Sequence, residues 1–121
     1  MSTAKPRPLR LASRAVLIPV MRIQEWHDRA ILAPGLTDLD RKVLAAICAW
    51  YRRLYVEEFA GSLSYQRIAR RLDTDAVNVR WAVDRLVGLG LIAVKPGAGG
   101  RANTYLPALP GRLAEELAPP F

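Results

Sequence analysis

Asn78, Arg80 and Arg85 fall within one short stretch, residues 75–87, and are side chains able to read or hold a nucleic acid. Asparagine can pair bidentately with adenine, arginine with guanine or with a phosphate, and the adjoining Ala76 and Val77 suit a thymine methyl. Upstream, Ser64, Gln66, Arg67, Arg70 and Arg71 supply hydroxyl, amide and cationic donors for phosphate oxygens. Ser64 and Gln66 also stand where a helix is expected to start, and backbone N–H groups there favour an anion. Downstream, Lys95, Arg101 and Asn103 surround a glycine-rich segment and extend the same chemistry. Taken singly, each arginine is most often a solvated surface charge. Their joint placement points to a polyanion.

Those donors must be positioned by helices. Winding residues 75–87 at about 100° per residue puts Val79, Ala82, Val83 and Leu86 on one buried stripe. Val77, Trp81 and Asp84 then lie on the opposite face, with Asn78, Arg80 and Arg85 beside them. Three roles stay open for Trp81: a core residue under a neighbouring segment, a contact to DNA, or, with Val77, a hot spot for a protein partner. Asp84 opposes phosphate unless it rises above the groove or pairs with Arg80 or Arg85.

Before this helix, Ser64 caps "YQRIARRL", whose Ile68, Ala69 and Leu72 face inward; the small Ala69 permits close approach. A break follows at residues 73–76, with Asp75 as N-cap and Asp73 at the turn, where aspartate tolerates a left-handed backbone better than most residues. "GLGLI" ends the second helix and delivers a strand. "LIAVK" and "ANTYLP", joined by "PGAGGR", predict a β-hairpin closed by Pro107.

Further upstream, Leu39, Val43, Leu44, Ile47, Tyr51, Leu54 and Tyr55 recur at helical spacing, predicting a helix to about Phe59 after an N-cap at Thr37. "SLS" has length only for a minimal strand. "AVLIPVMRI" reads as a short strand and "IQEWHDRAIL" as a helix presenting Ile23, Trp26, Ala30 and Ile31, separated by Pro19. Residues 1–14 hold Lys5, Arg7, Arg10 and Arg14 without an acid and predict a flexible basic arm. Residues 15–107 form the expected domain, and residues 108–121 a tail able to form a short amphipathic turn that packs through Leu113 and Leu117 on the domain or on a second copy.

Composition limits the functions available. The 121 residues suffice for one domain with a real core. Eighteen Lys and Arg against eleven Asp and Glu give a formal charge of +7 and a pI near 10.3, favouring nucleic acid first and an anionic membrane surface second. The lone Cys48 excludes an internal disulfide framework and fits a reducing compartment. The basic, apolar start imitates a signal peptide, but Pro19 and Arg22 break the patch and no cleavage-type motif follows, so the expected location is cytoplasmic.

The chain resembles the winged helix-turn-helix superfamily, closest to the helix-turn-helix domains of phage and plasmid replication initiators and bacterial transcriptional regulators. Ser64, Ile68, Ala69, Leu72, Val79, Ala82, Leu86, Gly90, Leu91 and Ile92 carry the likeness, with Asn103 and Tyr105 in the hairpin. It spans about residues 36–107. The resemblance implies a mainly α fold with a small β-hairpin, double-stranded DNA as partner, and homodimerisation as a common habit of such proteins. Departures are Asp73 where glycine is usual, and Ala76, Val77 and Trp81 where polar or basic residues are common. The expectation is a regulator or replication-type accessory factor. The alternative is a protein-interaction adaptor using Val77 and Trp81.

Enzyme chemistry lacks an inventory. "GAGGRA" at 97–102 fits a dinucleotide-binding glycine pattern, yet strand-like residues follow where that loop must open a helix. His27 is the only histidine, and neither a nucleophilic triad, a histidine-based metal site nor any cofactor is indicated.

Overall fold

The computed structural model describes residues 9–57, 63–97 and 103–117. Its elements run β1 (Ala15–Leu17), a single 3-10 turn (Val20–Arg22), α1 (Ile23–Ala30), α2 (Asp38–Glu57), α3 (Tyr65–Arg71), α4 (Ala76–Gly88), β2 (Ile92–Lys95), β3 (Thr104–Pro110) and α5 (Gly111–Glu115). The fold is therefore helix-rich with a small antiparallel sheet, of order β1-β3-β2. No helix among the described residues is long and apolar enough to cross a membrane.

The expected hairpin is β2 and β3, in register from Ile92 opposite Pro107 to Lys95 opposite Thr104. Pro107 does not close the second strand as expected. β3 continues to Pro110 and pairs there with β1, Leu17 opposite Ala108 and Ala15 opposite Pro110. A proline interrupts a central strand when it removes a ladder hydrogen bond. Pro107 lies just past the last β1 pair: its carbonyl accepts from Ile18 N–H at 2.9 Å, and the donor it lacks is the one that would return to Ile18, so the β1 ladder stops at Leu17 while β3 runs on. The domain accordingly extends beyond residue 107, with Ala108 and Leu109 fully buried. The third strand comes from "AVL", as the apolar run predicts, whereas Leu63 and Ser64 of "SLS" form no strand.

The core fills the space between this sheet and the helices. Ile23, Trp26 and Ala30 give α1 its buried face, and Val43, Leu44, Ile47 and Tyr51 do so for α2. Trp26 couples α1 to the sheet: its indole N–H donates to the carbonyls of both Leu91 and Ala108, each at 2.8 Å. Such a partner is what a fully buried indole needs. Thr37 and Asp40 start α2 with reciprocal bonds, Asp40 N–H to Thr37 Oγ1 at 3.1 Å and Thr37 N–H to Asp40 Oδ2 at 3.0 Å.

Residues 9–14 and 111–117 both fold back on the domain. Leu113 and Leu117 pack against the core and Arg29 pairs with Glu116 at 3.3 Å, so the tail docks beside α1. The arm ends earlier than residue 14, because Arg10 and Val94 exchange backbone hydrogen bonds at 2.8 and 3.0 Å on the outer edge of β2. From there the chain passes over Gly90, where a Cβ would meet that of Ala15 at 3.2 Å, before entering β1. Lys5 and Arg7 lie outside the described residues.

Candidate nucleic-acid interface

The α3–turn–α4 unit is built from local rules. Ser64 Oγ accepts from Arg67 N–H at 3.1 Å, so it is the cap that the sequence predicts. At the other end of α3, Asp73 takes φ 54°. Thr74 N–H reaches Ala69 O at 2.9 Å and Asp73 N–H reaches Arg70 O at 3.4 Å, the bond pattern of a Schellman stop with aspartate in the usual glycine place. Asp75 holds the N-cap backbone position of α4, but its carboxylate makes no capping bond. The α4 stop repeats the α3 device with Gly90 at φ 77° and Leu91 N–H on Leu86 O at 3.0 Å.

Packing then decides which face of α4 is displayed. Val79, Ala82, Val83 and Leu86 are completely buried, while Val77 is 55% and Trp81 59% exposed. Trp81 is thus a surface residue, against its reading as a core side chain under another segment. Alongside, Gln66 and Arg70 share an open groove with Ala69, Thr74, Asp75 and Ala76, bringing the exposed side of α3 and the first turn of α4 onto one surface. Arg67 and Arg71 are also exposed, on the neighbouring flank of α3. Among the described residues Arg70, Arg71, Arg80 and Lys95 have no ion pair. Asp73 and Asp75 are exposed at the turn, so the surface is not uniformly cationic.

Several candidate residues have structural work. Arg85 turns away from the displayed face and forks onto Asp40, with Nη2 2.8 Å from Oδ1 and Nε 3.2 and 3.3 Å from the two oxygens. Burial raises the Asp40 carboxyl, but the bonds from Arg85 and Thr37 outweigh it and hold the group below its ordinary range. Asn78 Nδ2 donates to Thr74 Oγ1 at 3.2 Å and so braces the turn. Asn103 closes the hairpin base, accepting from Gly97 N–H at 3.2 Å and donating to Tyr65 Oη at 3.1 Å. Arg101 lies outside the described residues.

Asp84 pairs with neither Arg80 nor Arg85. Its partner is Arg10, Nη2 to Oδ1 at 3.0 Å, with both side chains 44% exposed. This contact puts the end of the basic arm on α4 one turn beyond Trp81. Sequence reasoning missed it, along with the pairing of Asp40 to Arg85. The only local signal was the Thr-x-x-Asp spacing at the α2 start, which marks a cap and says nothing of the arginine 45 residues away.

Among the described residues no group of three or more His, Cys, Asp or Glu side chains gathers to hold a metal ion. Cys48 is buried and burial pushes its thiol up, away from nucleophilic use. Comparison with known protein families, curated proteins and solved structures finds no match to this chain.

Proposed function

We propose that the chain is a non-catalytic DNA-binding protein of the winged helix-turn-helix type, a cytoplasmic regulator or replication-type accessory factor. In this reading α4 approaches the bases, while α3, the β2–β3 wing and the N-terminal arm hold phosphates. The observation that carries it is the shared surface of Gln66, Arg70 and Ala76, flanked by Arg71 and Arg80 without ion pairs among the described residues. Exposed cations not satisfied inside a protein are those able to release counterions from DNA. Asp84, the one acid on the displayed face of α4, has its charge met by Arg10.

The test is a salt-dependent titration of duplex DNA with the wild type and the double variant Arg70→Ala, Arg71→Ala. Loss of two phosphate contacts should weaken binding and lower the slope of log K against log salt by about 1.8. An unchanged slope, or no binding by the wild type, rejects the reading.

A second reading, a protein-interaction adaptor on the same scaffold, is favoured by the paired exposure of Val77 and Trp81. Loss of a partner by Trp81→Ala with DNA affinity intact selects it.

A further inference from the structure

We infer that Trp81 is a stacking platform for an unpaired base, so the DNA this chain prefers is a duplex interrupted by unstacked nucleotides beside α4. The inference rests on the DNA-binding reading and specifies the form of DNA it takes.

Trp81 is 59% exposed and has no ring contact or hydrogen bond among the described residues, in contrast to the fully buried Trp26. One turn earlier stands the exposed Val77, and next to it Arg80; one turn later the Arg10 guanidinium sits on Asp84. An aromatic face beside Arg80, which has no ion pair among the described residues, matches the elements that hold single strands, a ring for the base and positive charge for its backbone. An intact duplex cannot use this face. Its groove displays base edges, and the faces are covered by their neighbours in the stack.

Charge around the turn argues the same way. Asp73 and Asp75 are exposed where α4 begins, so they would repel a phosphate line brought up to that end of the helix. A strand that opens locally presents a single phosphate line, which can follow Arg80 on α4 instead of crossing the turn where Asp75 lies beside Arg70. Its freed base then reaches Trp81.

The experiment titrates the full chain with a short duplex and with the same duplex carrying a central thymine bulge, followed by anisotropy of labelled DNA. Wild type should bind the bulged DNA about tenfold tighter, and the ratio should persist as salt rises, because stacking releases no counterions. Trp81→Phe should keep most of the preference and Trp81→Ala lose it, with the melting temperature of both near that of wild type. Iodide quenching of tryptophan emission should fall on binding bulged DNA and not on binding intact duplex. Equal affinities, or a preference that survives Trp81→Ala, overturn the inference and leave the DNA-binding reading standing. Failure to bind either DNA overturns both.

Discussion

Arg85 of α4 clasps the carboxylate of Asp40 at the start of α2, with Nη2 2.8 Å from Oδ1 and Nε bonded to both oxygens. Asp40 is completely buried, whereas the Arg85 side chain is 44% exposed. The acid therefore depends on the arginine more than the reverse. The same carboxylate caps α2 through Thr37, so one group sets both the start of α2 and its angle to α4.

Arg85→Ala leaves that carboxylate inside without its cation. The expected cost is about 2 kcal/mol, below the range for breaking fully buried pairs because water can reach the arginine side. Arg85→Lys, which keeps the charge and loses the fork, should fall between. Denaturant unfolding checks the order, and an alanine variant as stable as wild type contradicts the dependence.

The pH response follows from the lowered folded pKa of Asp40. Its stabilising contribution is complete above the unfolded value, about 3.9, and is lost as pH falls toward and through the lower folded value. Acid unfolding of wild type should therefore steepen below about pH 4 relative to Asp40→Asn. Parallel acid limbs for the two proteins would be incompatible with this assignment.

Trp26→Phe keeps most of the buried ring and removes the N–H shared by Leu91 and Ala108. A loss of about 1–3 kcal/mol is expected in thermal or denaturant unfolding, the penalty for depriving the buried Ala108 carbonyl of its donor while that of Leu91 keeps the Ala108 N–H at 3.2 Å. Near-native stability would show that the indole bond is dispensable.

Gly35 and Gly90 both have positive φ, 83° and 77°, but only Gly90 is crowded. Gly35→Ala should cost about 1 kcal/mol from backbone strain alone, and Gly90→Ala about 2, because its methyl presses on Ala15. If the two cost the same, the crossing of the chain over Gly90 is looser than the 3.2 Å approach implies.

Much of the frame was legible in the chain itself. The stripe through Val79, Ala82, Val83 and Leu86, the Ser64 and Thr37 caps, the turn at Asp73 and the pairing of residues 92–95 with 104–107 all follow from short-range spacing. Helical period, cap chemistry and backbone preference act over a few residues, so a linear reading reaches them. Where it failed, the governing contact was distant. Pro107 reads as a strand end because nothing nearby shows that β1, some 90 residues earlier in the chain, has already finished pairing there.

The candidate site divides along the same line. Sequence alone determined that Val77, Trp81 and Asp84 share the outward face of α4, and that arginines crowd the preceding helix. Only tertiary structure decided that Arg85 is held by Asp40, that Asp84 is held by Arg10 from 74 residues away, and that Asn103 braces Tyr65 while Trp81 stays uncovered. Charges and amides of one kind are interchangeable in a linear pattern. They become distinct when the chain path brings a particular partner within about 3 Å, and whether a side chain serves the fold or faces solvent is settled there.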